Sequence, residues 1–345
     1  MTGDLPSTEH VDDLLRTLRQ RVRSGDLAKL VRCGPFTLLH PIGRGGVGSV
    51  YAAVRDGETA PRFAVKVLDP GVDSEEMLVR FAREQRLLCA ISHPGIIAVV
   101  GCGVQDTGQP WFAMPLVGGS AITREADAHE LRIGDRLDLA AVACDALAAT
   151  HAAGIIHRDI KPGNVIVSWH PSKPDLKLVD FGLARALFGD EPRVTPAGAV
   201  RRMGTPEYMS PEQWSDGIAS CDARADVFSL GMLIAELASG VIARTPRVPA
   251  RADCSPRTTP RRRARIAPAP PCAPSEALAR LMHDDADAAQ ELARRRRLAS
   301  ADELLAAVRS RIDPLVAPML ARDPADRPPD ARAAMPMVEA TRRSL

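Results

Sequence analysis

The sequence has few of the features that mark exported proteins or nucleic-acid-binding proteins. Its 45 basic residues nearly balance 43 acidic ones, so a net charge of +2 gives no reason to expect a specific nucleic-acid partner. The seven cysteines are scattered and include no Cys-x-x-Cys pair, which indicates reduced thiols rather than a disulfide framework or a zinc site. The first residues are acidic and lack the apolar segment of a secretory signal. These absences predict a cytoplasmic protein.

No run of residues is long and apolar enough to suggest a membrane span. The longest, residues 227–243, contains Glu236 and Ser239 and falls short of the roughly 20 residues that a bilayer requires. A buried helix is expected there, and we expect a soluble chain with no transmembrane segment. The composition is globular, with 45% hydrophobic and 26% charged residues, which is enough to bury a substantial core.

The pattern of predicted elements changes close to residue 118. Before it, short β-type runs and one helix alternate with turns, at 36–39, 49–54, 62–68, 74–90 (the helix), 96–102 and 111–117. After Gly118-Gly119 the apolar spacing predicts helices at 131–153, 223–239, 276–298, 302–312 and 330–343. The fold class is therefore α+β, with a strand-rich lobe at 34–117, a helical lobe at 118–345 and a cleft between them.

Two segments stand outside this plan. Residues 1–33 are expected to form a helical N-terminal extension, with one helix over 8–32 or two helices broken at Ser24-Gly25. This extension either packs on the small lobe or serves as a docking arm. Residues 244–275 hold eight arginines against one aspartate and are rich in proline, with too few apolar residues to offset the entropy cost of ordering. They predict a disordered insert, either a solvated loop or a basic tether for acidic proteins, nucleic acid or membrane lipid.

A glycine-rich stretch, Gly43-Arg44-Gly45-Gly46-Val47-Gly48, lies between two predicted strands. Glycines at 43, 45 and 48 have no Cβ atoms and so let the backbone approach phosphate groups closely. Dinucleotide-binding sites share such patterns, but there a helix follows the glycines, whereas a strand at 49–54 follows here. The context favours a phosphate-binding loop between strands.

Two polar motifs and one lysine complete the candidate chemistry. The stretch His157-Arg158-Asp159-Ile160-Lys161-Pro162-Gly163-Asn164 places an acid, a lysine and an amide in eight residues, and Asp180-Phe181-Gly182 follows it. Upstream, Lys66 lies in the apolar run Ala64-Val65-Lys66, where a charged side chain needs a strong partner. Transfer of a γ-phosphoryl group requires anionic oxygens to be held in line and their charge offset, and these residue types suit that task.

In this order the motifs resemble those of the eukaryotic-type (Hanks-type) serine/threonine protein kinases of bacteria. The resemblance runs from about residue 36 to residue 335 and is interrupted by the basic insert. It implies a bilobal protein kinase fold, with a small antiparallel-sheet lobe and a larger, mainly helical lobe. It also implies ATP as cofactor together with Mg²⁺, for which Mn²⁺ is a possible substitute.

The resemblance assigns the phosphate side of the nucleotide site to Lys66. This lysine would contact the α- and β-phosphates and would itself be held by a glutamate of the following helix. Glu84 matches that position, and Glu75 and Glu76 are alternatives at the helix start, where acids also suit the helix dipole.

The adenine side of the site is implied by the same resemblance. Val50 and Ala64 would cover the ring, and Ile166 would lie beneath it. Pro115 departs from the family, which usually has an acidic residue after the gatekeeper. The whole implied nucleotide-binding set is Ile42, Gly43, Gly45, Gly48, Val50, Ala64, Lys66, Met114 (the gatekeeper), Leu116 and Val117 (whose backbones would grip adenine) and Ile166.

Four residues would carry the transfer itself. Asp159 would orient the substrate hydroxyl and accept its proton, and Lys161 would reach the γ-phosphate. Asn164 and Asp180 would bind the magnesium ion, which prefers hard oxygen ligands. By the same resemblance, His157 and Phe181 belong to a stacked apolar column, continued by Leu88 and Val99 and anchored at its base by Asp226.

The resemblance also implies a protein substrate. Lys161 is typical of relatives that phosphorylate serine and threonine, and Thr205 would hydrogen-bond across to Asp159 and Lys161. Residues 204–212, here called the substrate platform, carry Ser210 in place of the more common alanine. Glu212 would pair with Arg327 to fix this platform.

Regulation is expected through residue 195. An arginine before the catalytic aspartate, here Arg158, usually accompanies control by phosphorylation of the loop that follows. Thr195 is the only hydroxyl residue between Leu183 and Gly204, and its phosphate could pair with Arg158 and Arg185. We therefore expect autophosphorylation in trans at Thr195, so the protein is its own partner as well as that of its protein substrates.

Two rival functions remain open on the sequence alone. A pseudokinase would bind nucleotide or act as a scaffold, but the residues usually lost in such proteins are all present. A small-molecule phosphotransferase is disfavoured by Thr205 and the substrate platform, which fit a protein substrate.

Overall fold

The computed structural model describes residues 31–45, 48–68, 91–105, 107–170, 173–181, 193–194, 200–201, 206–215, 221–245 and 269–345. The helix expected at 74–90, most of the N-terminal extension and the central part of the basic insert lie outside these ranges.

Six antiparallel strands form the smaller lobe. In chain order they are β1 (Arg32–Cys33), β2 (Phe36–Gly45), β3 (Gly48–Arg55), β4 (Phe63–Leu68), β5 (Gly101–Val104) and β6 (Pro110–Pro115). Within the sheet they follow the order β1-β2-β3-β4-β6-β5, so the first four strands form a meander and β6 lies between β4 and the edge strand β5. The small antiparallel-sheet lobe that the resemblance implies is confirmed.

Alternation along β4 decides which side chains face the junction of the lobes. Val65 and Val67 lie on one side of the sheet, where they pack with Trp111 in a small apolar cluster. Ala64 lies on the other side, in the large cluster that continues into the helical lobe. Because successive side chains of a strand point to opposite faces, Lys66 shares the side of Ala64.

The chain enters this sheet earlier than the sequence indicates. Instead of a helix through residue 32, Arg32 and Cys33 form β1 and pair with Thr37 and Phe36 of β2. Gly34 makes the turn possible because its φ of +54° is a left-handed conformation. The predicted end of the helical extension is wrong here, since the burial of Cys33 in the sheet core overrides local helix propensity.

The helical lobe begins after residues 116–119. A three-stranded antiparallel sheet borders the cleft, formed by β7 (Ser120–Ala121), β8 (Val165–His170) and β9 (Lys173–Leu178) in that order. A two-stranded ribbon pairs β10 (Arg193–Val194) with β11 (Val200–Arg201). The helices are α1 (Ile122–Ala128), α2 (Ile133–Ala152), α3 (Pro211–Ser215), α4 (Ala223–Ser239), α5 (Pro274–Asp284), α6 (Ala286–Arg294), α7 (Ala301–Ala307), α8 (Asp313–Val316) and α9 (Ala331–Arg343). The α+β bilobal architecture is confirmed.

Helix α4 is the centre of the helical lobe. Its N-terminus is capped by Asp222, whose carboxylate accepts from Arg224 N at 2.9 Å, and it ends at Gly240 with a φ of +86°. Almost all of its side chains are buried, so the buried helix predicted within 227–243 is confirmed. Among the described helices, none has the length and apolar character needed to cross a membrane.

Two predicted helices are interrupted. The helix expected at 276–298 is divided into α5 and α6 at Asp285, whose side chain accepts from Ala288 N and caps the second helix. The helix expected at 302–312 begins as α7 and continues as a π-type turn, Val308–Ile312. The single-helix prediction for 276–298 was wrong because apolar periodicity does not reveal a capping residue inside a run.

Both ends of the predicted disordered insert belong to the fold. Arg244 pairs with Pro271 in an isolated antiparallel bridge, and Thr245 N donates to Pro270 O at 3.1 Å. Disorder was therefore the wrong prediction for 244–245 and 269–275, where long-range hydrogen bonds hold the backbone. Residues 246–268 lie outside the described ranges.

Candidate active site

Lys66 is a charged side chain in an apolar setting. It is only 4% exposed on β4, and its Nζ lies 5.9 Å from the centroid of the Phe112 ring. Nζ forms an ion pair with Oδ1 of Asp180, which follows β9 in the other lobe. A buried ammonium requires such a partner, and this pair joins residues that are 114 positions apart.

Residues 157–164, here called the polar loop, carry the next three polar residues of the site. This loop is fixed by a buried carboxylate. Asp226, inside α4 and fully buried, accepts from the backbone N of His157 at 2.6 Å and of Arg158 at 2.7 Å. Arg158 has a φ of +63°, a conformation that is unfavourable for a side chain with a Cβ. The two charge-assisted hydrogen bonds offset that strain. Asp226, which the resemblance places at the base of the column containing His157, therefore also holds this loop.

Asp159, Lys161 and Asn164 converge just after this anchor. Lys161 Nζ lies 2.9 Å from Asp159 Oδ2, and Asn164 Nδ2 donates to the same oxygen at 3.0 Å. Asn164 Nδ2 also donates to Asp159 O at 2.7 Å. The aspartate is thus held in one orientation by two neighbours, which is what a base that must meet a hydroxyl group requires.

Asp180 lies beside this cluster. Val179 N donates to Asn164 O at 3.0 Å, which brings the backbone before Asp180 against the end of the polar loop. Asp180 itself has a φ of +59°. The lysine of the sheet lobe, both aspartates and the asparagine therefore meet at the junction of the lobes.

The residues present fit a magnesium ion. Within the described ranges, no three acidic, histidine or cysteine side chains are placed to hold a metal by themselves. Asn164 Nδ2 uses both of its hydrogens on Asp159, so its amide oxygen is the atom left for a cation. With an Asp180 oxygen it would supply two hard ligands. This suits Mg²⁺, which takes its other ligands from water and phosphate.

His157 supports the loop as a fully buried side chain. Burial lowers the pKa of its imidazole below the usual 6.5. Nε2 donates to Val179 O at 3.1 Å, since a carbonyl can only accept. The ring packs against Phe181 with centroids 4.6 Å apart. Of the expected column, His157 and Phe181 are in contact, Val99 packs on the large core cluster, and Leu88 lies outside the described residues.

The glycine-rich stretch is a β-hairpin. Gly43 pairs with Val50 and Gly45 with Gly48, and residues 46–47 at the tip are not described. At Gly48 a Cβ would lie 2.2 Å from Val67 O, so a glycine is needed here for β3 to pack on β4. This second reason for the glycine is invisible in the sequence.

The expected adenine contacts border the same space. Val50 pairs with Lys66 across β3 and β4, and Ala64 pairs with Met114 across β4 and β6. Ile42, on β2, is half-buried and packs against the large cluster. Ile166 is buried on β8, while its neighbours on either side belong to the helical-lobe core. By alternation Ile166 lies on the opposite face from them, as the floor of a cleft would require.

The segment joining the lobes follows Met114 and Pro115. Leu116 N donates to Arg62 O at 2.8 Å, so this N–H is used within the sheet lobe. The sequence assigns the adenine donor and acceptor jointly to Leu116 and Val117. Because the Leu116 N–H is already committed, the donor would come from Val117.

The substrate platform is held at two points, by Arg327 and by Gln213. Arg327 forms a bidentate pair with Glu212, at 2.6 and 2.9 Å, as the sequence predicts. Gln213 Nε2 donates to Arg158 O at 3.1 Å, and its Oε1 accepts from Ser210 N at 3.0 Å. The buried amide of Gln213 therefore joins the platform to the polar loop.

Three predicted site residues lie outside the described part of the chain, and one supporting residue was missed. Glu84, Thr195 and Thr205 lie outside the described residues. Gln213 was missed although it directly follows the platform motif. A polar residue next to a motif whose neighbours are buried is the one signal that could have indicated it.

A small β-sheet lobe over a helical lobe, with these polar groups converging between them, is the protein kinase fold. A family model described as "Protein kinase domain" matches residues 36–336, and the chain belongs to this family. The resemblance inferred from the motifs is thereby confirmed.

Comparisons with individual proteins agree. The chain is 37% identical over 213 residues to the serine/threonine-protein kinase pkn2 of Myxococcus xanthus, covering 61% of this chain and 25% of that protein. It is 37% identical over 210 residues to the DNA damage-responsive serine/threonine-protein kinase RqkA of Deinococcus radiodurans, covering 60% of this chain and 30% of that protein. The matched part thus spans less than a third of these relatives.

Solved structures support the fold. The kinase domain of Mycobacterium tuberculosis PknI superposes with a TM-score of 0.57 at 24% identity, covering 92% of this chain and all of that one. Rad53 in complex with AMP-PNP superposes with a TM-score of 0.56 at 20% identity, covering 88% of this chain and 65% of that one.

Proposed function

We propose that this chain transfers the γ-phosphoryl group of Mg-ATP to serine and threonine hydroxyls of protein substrates. One observation carries the proposal: the ion pair of Lys66 with Asp180 joins the two lobes beside the Asp159–Lys161–Asn164 cluster. Both pkn2 and RqkA are named serine/threonine-protein kinases, which supports the same activity.

Asp159 would act on the substrate hydroxyl. Lys161 and Asn164 hold its Oδ2, so the carboxylate is oriented before any substrate arrives. An oriented carboxylate can accept a hydrogen bond from the hydroxyl and take its proton as the bond to phosphorus forms. Lys161 Nζ lies 2.9 Å from that group and would offset charge on the transferred phosphoryl group.

Lys66 and Asp180 would bind the nucleotide. In this structure they neutralise each other at the lobe junction. Lys66 would hold the α- and β-phosphates, and Asp180 with Asn164 would hold the magnesium ion. Bound magnesium, or manganese in its place, neutralises phosphate charge when present.

The geometry of residues 206–212 favours a protein substrate. This part of the substrate platform is held to the polar loop by Gln213 and to α4 by the Tyr208 hydroxyl, which hydrogen-bonds Glu236. A surface fixed so close to Asp159 gives an extended peptide a place to dock. A phosphotransferase that acts on small molecules would not need such a surface.

Substitution of Asp159 tests the catalytic proposal. Purified protein should transfer labelled phosphate from Mg-ATP to a generic basic protein. Asp159→Asn should lower kcat by about a thousandfold because the amide cannot accept a proton, while calorimetry shows unchanged Mg-ATP binding. Asp145→Asn is the matched control, since Asp145 is exposed and pairs with His93.

The outcomes separate the candidate functions. Nucleotide binding without transfer by the unaltered protein would establish the pseudokinase instead. Transfer that survives in Asp159→Asn would mean that Asp159 has been assigned the wrong role.

We also propose activation in trans at Thr195. The support is Arg158, whose backbone is fixed by Asp226 immediately before Asp159. Phosphate at Thr195 would add about −1.5 to −2 charge for this arginine to pair with. Phosphopeptide mapping of active protein should find Thr195 modified, and Thr195→Ala should be slow to activate; an unmodified Thr195 in fully active protein would contradict the proposal.

A cytoplasmic setting is part of the proposal and is supported by free thiols, including the buried Cys33 and Cys144.

A further inference from the structure

Three consecutive carbonyls of the substrate platform are held by side chains. Ser229 Oγ donates to Tyr208 O at 2.8 Å. On either side of it, Arg244 donates through Nε to Glu207 O at 2.6 Å and through Nη2 to Met209 O at 2.7 Å. One guanidinium therefore fixes two of the three carbonyls in a stretch that ends a short 3₁₀ turn.

Arg244 reaches the platform from outside every motif of the sequence. It lies beyond the end of α4, and its third donor, Nη1, bonds Ala269 O. Its backbone forms the bridge with Pro271. The same residue thus connects the platform to the segment that leads into α5.

Two arginine guanidinium groups lie over the ring of Phe228. The guanidinium of Arg244 lies 5.7 Å from its centroid, and that of Arg327 lies 5.0 Å from it. Arg327 holds Glu212, at the C-terminal end of the platform, whereas Arg244 holds the carbonyls before it. A planar guanidinium can stack on a ring and donate in several directions at once, which a lysine ammonium cannot do in the same way.

We propose that Arg244 is a positioning residue for the protein substrate. It fixes the backbone at 207–209, on which the peptide around the accepting hydroxyl docks. The inference rests on the proposed kinase function, because that function makes residues 204–212 a docking surface. It deepens that function by naming a residue that governs KM for the protein substrate.

Distance from the nucleotide makes the expected effect selective. Among the described residues, Arg244 donates to the platform, to Ala269 and to Ile242. The candidate nucleotide-binding side chains lie instead on β2, β3, β4, β6 and β8. Loss of the guanidinium should therefore disturb docking of the protein and leave ATP binding as it was.

Three variants test the proposal. Arg244→Met keeps the approximate length of the side chain but removes all of its hydrogen-bond donors. Arg244→Lys keeps the charge but removes the planar guanidinium fork, which donates to both carbonyls at once. Arg280→Met is the matched control, since Arg280 donates to Arg244 O and to Cys272 Sγ. It disturbs the same bridge from another residue.

For Arg244→Met we expect KM for the protein substrate to rise about tenfold or more, the equivalent of one or two lost charge-assisted hydrogen bonds. KM for ATP should stay within about twofold, and kcat should fall less than KM rises. Arg244→Lys should recover little of the loss, because two carbonyls need the fork. Arg280→Met should leave both KM values near those of the unaltered protein.

Amide hydrogen exchange supplies a readout that needs no activity. Peptides covering residues 206–213 should exchange faster in Arg244→Met than in Arg280→Met, while peptides covering α2 stay unchanged. Faster exchange without any phosphoryl transfer by the unaltered protein would contradict the kinase function and leave the positioning of the backbone by Arg244 standing. Unchanged exchange, an unchanged KM for the protein substrate, or an equal rise in both KM values would overturn the role of Arg244. If Arg244→Met does not fold, the same measurements on Arg244→Lys decide.

Discussion

The polar loop and the substrate platform are held in place by opposite charges. The loop is fixed by the carboxylate of Asp226, which accepts from two successive N–H groups. The platform is fixed by the guanidinium of Arg244, which donates to two carbonyls. One fastening residue is buried within α4, and the other follows that helix and is half-buried.

The difference shows how a chain shapes segments that have no regular hydrogen-bond ladder. Backbone groups withdrawn from water need partners, and one ion can serve several of them. An anion suits a loop whose N–H groups point inward, and a cation suits one whose carbonyls do. The loop that positions the candidate base is thus fixed by a residue of the core, and the proposed docking surface is fixed by a residue at its edge.

Removing the charge of Asp226 should lower stability more than the changes at Gln213 and His157 that follow. In Asp226→Asn one of the two acceptor oxygens becomes an NH₂ group that faces an N–H donor. The free energy of unfolding should fall by about 3 kcal/mol, measured by urea denaturation, and kcat should fall with it. Asp222→Asn, at the N-cap of the same helix, should cost less than about 0.5 kcal/mol because asparagine also caps well. Equal losses of unfolding free energy in the two variants would mean that Asp226 contributes no more to stability than an N-cap residue does.

Gln213 is the link between the two regions, and its loss should have an intermediate effect. Gln213→Leu removes the hydrogen bonds to Arg158 O and Ser210 N, which should lower the unfolding free energy by about 1.5 kcal/mol. It should also raise KM for the protein substrate. Gln290→Leu is the control, because Gln290 likewise bonds two backbone groups, Ala299 O and Ala301 N, away from the site. A similar KM change in both variants would mean that Gln213 does not connect the platform to the polar loop.

The smallest expected effect is a pH dependence carried by His157. Burial lowers the pKa of its imidazole, so the folded state stays neutral while the unfolded state takes up a proton below pH 6.5. This contribution to stability is therefore lost as pH falls from 7.5 to 5.5, by at most about 1.4 kcal/mol at the lower pH. Urea denaturation at both pH values should show a shallower decline for His157→Phe. Parallel declines would mean that His157 does not resist protonation in the folded state.

Sequence reasoning succeeded where a function needs residues close together along the chain. Asp159, Lys161 and Asn164 lie within six residues, so the motif that contains them also predicts that their side chains can meet. The strand carrying Lys66 and the buried run of α4 were equally visible, because alternation and apolar content are local properties.

It failed where distant contacts decide. The burial of Cys33 turned the end of an expected helix into a strand, and Arg244 was placed in a disordered insert although its partners fix it to the fold. Both errors arose from local composition, which cannot show what lies across the turn or beyond the insert.

The sequence by itself determined the strands between residues 36 and 68, the helices α2, α4 and α9, the glycine hairpin and the identity of the groups suited to phosphoryl transfer, because these depend on spacing and residue chemistry over short stretches. Only the tertiary structure decided that Lys66 meets Asp180, that Asp226 holds the loop and that Arg244 holds the platform. Those pairs lie tens of residues apart or more, and they form only once a common core has brought their helices and strands together.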